Sequence, residues 1–345
     1  MAVGRSNGCT WCRKCDRYRT VGLGFRARPI GCVARIYTHR APYMKGACPV
    51  RWYQTMTQAA LYNHYSKVAT LKKIGQGGSA EVFDLGNGEI LKLFFLHRED
   101  YCQQEMENYR LIEKTNLPIM HLDRSVKIAG RSGLVFSGAL VGATIGQIIK
   151  KTPWRTIELA RLLADLHVRI HEQEAPHLPS FHSRLKTRIE KERRLTQLIR
   201  SNLLAAADKL PRGDRLCHGD FHIDNVIIGD GRCLIIDWNS CSRGAVACDV
   251  YKTLACLLYE NRELPFFYRK AQRPLRRLLA REYLSYYSKK AGIHLAPKGK
   301  VFNLIDIGFR LRKGPKTHEH ALRELSMRGG FNSGESPTGN IAHWP

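Results

Sequence analysis

The chain of 345 residues is 43% hydrophobic and 25% charged, enough apolar material for two moderate cores and too much for a disordered polypeptide. Its 56 lysines and arginines against 30 acids give a net charge of +26, which favours anionic partners such as nucleotides, nucleic acids or acidic lipid surfaces and leaves the fold open. The N-terminus lacks the apolar core of a secretory signal, and the one long uncharged stretch, Ser132 to Ile149, carries four glycines and reads as a buried strand and turn instead of a membrane span. A cytoplasmic protein with reduced cysteines is expected.

Residues 1–55 hold 11 basic residues against one acid, Asp16, and five of the 11 cysteines. Cys9, Cys12 and Cys15, with Cys32 and Cys48 following, offer soft thiolate ligands. Neither a second CxxC pair nor a histidine pair follows at zinc-finger distance, however, and the compact fourth cysteine of a ferredoxin run is missing. A mitochondrial presequence would be rich in serine, and this segment has only Ser6. The segment is therefore expected to be a basic, Cys-rich extension that is disordered or precedes the native start, with Met44 and Met56 as internal starts.

The pattern changes at Ala69. Three β-rich runs, Thr70 to Ile74, Ala80 to Leu85 and Ile90 to Phe95, are separated by turn residues and predict an antiparallel meander. A helix over Arg98 to Lys114 follows, then a second β-rich pair at Val126 to Ala129 and Leu134 to Phe136. Past Gly146 helical spacing dominates: Leu159, Leu162, Leu163, Leu166 and Ile170 share one face. Inside this helical half, Val226 to Ile228 and Cys233 to Ile236 flank a Gly-Asp-Gly turn and predict a hairpin. Leu275, Leu278, Leu279, Tyr283 and Tyr286 mark a late amphipathic helix, and beyond Lys313 the chain turns polar. The expected fold class is α+β, with a small sheet and one helix over 68–140, a helical part over 141–312 and a flexible tail over 313–345.

The densest chemical signal is His218-Gly219-Asp220-Phe221-His222-Ile223-Asp224-Asn225, followed by the hairpin and then Ile236-Asp237-Trp238. In the kinase pattern H-x-D-L-x-x-x-N, the Asp and Asn lie five residues apart because one loop presents a base to the nucleophile and an amide oxygen to Mg²⁺. Asp220 and Asn225 have that offset, and Asp237 follows across a short hairpin where a second metal carboxylate is needed. Upstream, Gly75-Gln76-Gly77-Gly78-Ser79 lies between two strands, where missing side chains let backbone N–H groups approach phosphates. Lys92 sits in an otherwise apolar strand and needs an anionic partner.

This combination resembles the aminoglycoside phosphotransferase and choline kinase branch of protein-kinase-like enzymes, over roughly residues 68–262. The resemblance implies a two-lobed protein-kinase-like fold and transfer of the γ-phosphoryl group of ATP, with Mg²⁺, to a hydroxyl of a small molecule. It assigns Asp220 as the base, Asn225 and Asp237 as metal ligands, and Lys92 to the α/β-phosphates, with a helix glutamate holding Lys92. Glu105 and Glu107 point about 200° apart on a helix, so only one can face the sheet, and the resemblance places the functional glutamate near Glu105. Gly75, Gly77, Gly78 and Ser79 would cover the phosphates, and the connector after Phe136, including Ser137 and Ala139, would lie against adenine. His167 and His171 resemble a structural pair of this family, His218 and His222 are read as loop-orienting, and Asp249 as a helix N-cap. Two other classes compete. One is a nucleotide-binding regulatory protein without turnover. The other is nucleic-acid binding through the basic runs Arg184 to Arg200 and Arg269 to Arg281, which lack the interleaved aromatics that stack single strands and read better as solvated helix faces.

Overall fold

The structure is a computed structural model that describes residues 71–259, 266–295 and Ile305. The expectations for 1–55 and for 313–345 lie outside the described residues.

Strands β1 (Lys72–Gln76), β2 (Ala80–Gly86) and β3 (Glu89–Phe94) form the meander, and β4 (His121–Ile128) and β5 (Arg131–Ser137) complete an antiparallel sheet of order β1-β2-β3-β5-β4. Alternation along β3 decides what each face does. Leu91 and Leu93 pack with Val135 in a small cluster on one face, while Lys92 and Phe94 take the other. Helix α1 (Glu99–Ile112) covers that second face with Cys102, Glu105, Asn108, Tyr109 and Ile112, spaced at helical intervals, and the Tyr109 ring meets Phe136 at 4.8 Å. β4 begins five residues before the apolar run predicted, because His121-Leu122-Asp123-Arg124-Ser125 pairs with β5 through its backbone while its mostly polar side chains mask the strand pattern.

The rest is mainly helical. β6 (Ala143–Thr144) leads into α2 (Ile145–Lys151), closed by a capping box between Thr144 and Gln147. Then come α3 (Thr156–His171), α4 (Phe181–Lys191) and α5 (Gln197–Asp208). β7 (Arg215–Cys217) precedes the loop bearing Asp220, and β8 (Val226–Gly229) and β9 (Arg232–Ile235) form the hairpin after it. β10 (Ser242–Gly244) pairs back onto β7, and α6 (Val246–Leu258) and α7 (Phe266–Ala291) complete the described fold. α3 runs along α7, and Trp238, Phe221, Tyr283 and Tyr287 are among the largest buried side chains of this half. The buried stripe of α7 is rotated from the one read in the sequence: Leu279, Tyr283 and Tyr287 are buried, whereas Leu278 is 40% exposed. The helix has apolar residues on more than one side, and packing against α3 selects among them. No helix of the described residues is long and apolar enough to cross a membrane.

Candidate active site

Three ionisable groups meet where the sheet adjoins the helical half. Lys92 Nζ lies 2.7 and 2.8 Å from the two carboxylate oxygens of Glu105 and 3.0 Å from Asp237 Oδ1. Strand alternation aims Lys92 at α1, and Glu105 occupies a core position of that helix, its side chain 2% exposed. Glu107 points away and accepts a hydrogen bond from Gln103 Nε2 at 2.6 Å. Burial alone would favour neutral Lys92, but the Glu105 and Asp237 carboxylates together outweigh it and raise its pKa. Burial pushes the Glu105 carboxyl up against the opposing pull of Lys92, and Lys92 lowers Asp237. Asp237 is the accessible member, with a side chain 42% exposed and a left-handed backbone at φ 64°. The ensuing segment is bound to α1: Asn108 Nδ2 donates to the Trp238 and Asn239 carbonyls, Gln104 donates to Asn239, and Asn239 Nδ2 donates to the Tyr101 carbonyl.

The loop carrying Asp220 and Asn225 is held by its own polar groups. Asn225 Nδ2 donates to the Asp220 carbonyl at 2.9 Å, which turns the amide oxygen of Asn225 away from that bond. The Ile236 amide donates to the Asn225 carbonyl, so Asn225 and Asp237 project from adjacent ends of the β8–β9 hairpin. His218 is neutral, its pKa lowered by burial; Nδ1 accepts from the Asp220 amide and Nε2 donates to the Ile236 carbonyl. Gly219 has φ +74°, and a Cβ there would sit 2.2 Å from the Ser240 carbonyl oxygen, so glycine is required where the two loops touch.

Behind this loop Asp249 corrects the sequence reading. Ala245, not Asp249, is the N-cap residue of α6, and the Asp249 carboxylate reaches another element. It accepts from the backbone amides of His218 at 2.7 Å and Gly219 at 2.9 Å, and from the Nε2 atoms of His167 and His171 at 3.1 and 3.3 Å. Each histidine Nδ1 in turn accepts from a tyrosine hydroxyl of α7 at 2.6 Å, Tyr283 for His167 and Tyr287 for His171. Burial would raise the Asp249 carboxyl, yet the two histidine hydrogen bonds hold it well below the ordinary carboxylate range. Burial and the neighbouring His171 push His167 down to about 3. His167, His171 and Asp249 present ligand atoms within 4.8 Å of one another, but each atom is already hydrogen-bonded within the chain, so the cluster is complete as a neutral-donor network.

In the glycine-rich loop the Gly77 amide donates to the Ala80 carbonyl, and an added Cβ at Gly77 or Gly78 would meet nothing within 4 Å. Crowding inside the protein therefore does not explain the glycines. At the connector, Ser137 Oγ donates to Asp123 Oδ1 at 2.9 Å and the Ala139 amide to the Gly88 carbonyl at 3.0 Å, so as placed that amide reads no base edge.

With this geometry in hand, comparison with known proteins is direct: the sequence model of the phosphotransferase enzyme family matches residues 70–292, well over half of the chain. The chain belongs to that family. It is a small-molecule phosphotransferase of the kinase type, with an alcohol group as acceptor. Two solved structures share its protein-kinase-like fold. A thermostable mutant of aminoglycoside phosphotransferase APH(4)-Ia, in ternary complex with ADP and hygromycin B, is 15% identical, with a TM-score of 0.54 over 79% of this chain and 98% of that one. An aminoglycoside-3'-phosphotransferase of type VIII is 14% identical, with a TM-score of 0.52 over 73% of this chain and 98% of that one. At such identities the likeness is one of fold. No curated protein sequence matches the chain.

In this phosphotransferase two groups near the loop escaped sequence reasoning. Asn108 was visible only as a polar residue at a core position of α1. Lys252, buried on α6, brings Nζ to 3.8 Å from Asp220 Oδ1. Its signal was the offset of three residues from Asp249, which puts both on one side of the helix.

Proposed function

We propose that the protein transfers the γ-phosphoryl group of ATP to a hydroxyl of a small molecule in a Mg²⁺-dependent reaction. The observation that carries this reading is the convergence of Lys92 with Glu105 and with Asp237, 145 positions away in the chain, beside the loop of Asp220 and Asn225. Lys92 binds the α/β-phosphates, and Glu105 keeps its ammonium charged and aimed. The residues offered to Mg²⁺ suit a hard cation: Asn225 spends its N–H on the Asp220 carbonyl and leaves its oxygen as donor, and Lys92 keeps Asp237 ionised. Mg²⁺ held there would neutralise phosphate oxygens during transfer. Gly77 and Gly78, with open space where side chains would stand, let the loop backbone lie over phosphates. Asp220 accepts or orients the hydroxyl proton of the acceptor.

The acceptor is a hydroxylated small molecule. The hygromycin B complex of the similar structure makes aminoglycosides the first class to try. The basic run of α4 and α5 is largely engaged within the chain: Arg200 donates to the carbonyls of Ile189, Glu190, Glu192 and Leu195, Arg194 pairs with Glu192, and Lys186 with Asp208. These contacts support a structural role for the run over nucleic-acid binding. The test is Mg²⁺-dependent ADP release by the full chain against aminoglycosides, choline, homoserine and sugars, with Asp220→Asn as control. Acceptor-dependent release, lost by about a hundredfold or more in the variant while ADP still binds, is the expected result. ADP binding without release for any acceptor would point to the regulatory alternative.

A further inference from the structure

α6 offers the Asp220 loop two charges from one side. Asp249 takes the backbone amides of His218 and Gly219, and Lys252, three residues on, faces the Asp220 side chain. Lys252 is almost as inaccessible as the core around it, its side chain 7% exposed, and an ammonium so placed needs anionic company. Its Nζ stands 3.8 Å from Asp220 Oδ1, an ion-pair separation longer than a hydrogen bond. Asp220 itself is 29% exposed, so the lysine approaches from the buried side and part of the carboxylate reaches solvent.

We infer that Lys252 is a positioning residue for phosphoryl transfer: it holds the Asp220 carboxylate in the orientation that receives the acceptor hydroxyl. The inference rests on the phosphotransfer reading above, because it concerns the same carboxylate. Asp249 and Lys252 then divide the task. The first fixes where the loop backbone runs, and the second fixes where the Asp220 carboxylate points. A flexible aspartate on a well-placed loop would present its oxygens in several rotamers, and proton transfer in the transition state tolerates few of them.

The test uses the full chain with Lys252→Met, Lys252→Arg, Asp220→Asn and the Lys252→Met/Asp220→Asn double variant, each with ADP·Mg²⁺ affinity measured by calorimetry. With an acceptor found by the ADP-release panel, Lys252→Met should lower kcat about tenfold or more while acceptor KM and ADP affinity stay within about twofold, the signature of an interaction made in the transition state. Lys252→Arg should recover most of the loss. In the Asp220→Asn background Lys252→Met should cost nothing further, since the lysine acts through that carboxylate; a merely structural lysine would give additive losses. Normal kcat in Lys252→Met, no rescue by arginine, or additive losses would each overturn the proposal. Absence of release with every acceptor would sink the phosphotransfer reading, and the lysine is then judged on Asp220 itself. A crystal structure of Lys252→Met with the Asp220 carboxylate unmoved overturns the positioning role, and a rotated carboxylate supports it.

Discussion

Two polar clusters flank the Asp220 loop, and they are built on opposite principles. In front, Lys92, Glu105 and Asp237 form a cluster of full charges with one member, Asp237, open to solvent. Behind, Asp249 is surrounded by two backbone amides and two histidine N–H groups, and tyrosine hydroxyls complete the shell in the interior. Charges that remain partly exposed can exchange one partner for a phosphate or a cation. A carboxylate met by neutral donors in a sealed core has no competitor and stays where it is. The difference separates a cluster able to take up a ligand from one that can only fix geometry.

The sharpest way to break the comparison is at Lys92. On the proposed function, Lys92→Met should reduce turnover about a hundredfold or more, because that reading gives Lys92 the phosphates to hold. It should also destabilise the fold by a few kcal/mol, since buried Glu105 is left without its partner. Adding Glu105→Leu should restore the urea midpoint and leave turnover low, which separates the chemical from the structural part. Unchanged turnover in folded Lys92→Met would remove the front cluster from the reaction.

At the rear the order of effects should invert. Asp249→Asn leaves one amide oxygen where two carboxylate oxygens served four donors, and urea unfolding should show a loss of about 2–4 kcal/mol. A loss below about 0.5 kcal/mol would mean that the loop does not depend on this carboxylate.

His167 sharpens the contrast through pH. Its pKa is about 6.5 in the unfolded chain and about 3 in the fold, so between those values the unfolded state binds the extra proton. Stability should therefore fall as pH drops below about 6.5, by up to about 1.4 kcal/mol per pH unit. Asp249, held well below the ordinary range, gives stability that persists above the unfolded carboxylate value of about 3.9, so the interval from about 6.5 to 4 reports His167 together with His218, whose pKa burial lowers in the same direction. His167→Gln should make that slope shallower and leave the part due to His218, and an equally steep slope in the variant would assign it elsewhere. The smallest effect is expected for Tyr283→Phe, which removes one hydroxyl from His167 and should cost about 1 kcal/mol with turnover near wild type.

What was legible in the sequence follows the same division. Lys92, Asp220, Asn225 and Asp237 stand in short motifs whose spacing reflects local geometry, a strand, a loop and a hairpin, so the residues brought together here could be named beforehand. A helix turns Glu105 and Glu107 to opposite sides, so only one could face the sheet, and the family resemblance chose Glu105 between them. Asp249 was noticed, but its partners lie between 30 and 82 residues earlier, and no local pattern tells a first-turn carboxylate whether to cap its own helix or another loop. Tyr283 was read as a core residue from its spacing, which reports the ring and is silent on the hydroxyl. Lys252 and Asn108 were hidden for the same reason: their partners are distant in the chain, and pattern arguments see only neighbours.

The tyrosine contacts also bear on the order in which the protein is made. Tyr283 and Tyr287 each reach a histidine 116 positions earlier. A ribosome releases α3 first, then the Asp220 loop, then α6 and α7, so the loop is extruded well before the residues that complete its support. The nascent phosphotransferase completes the hydrogen-bonded shell of His167 and His171 only when α7 has emerged and docked along α3.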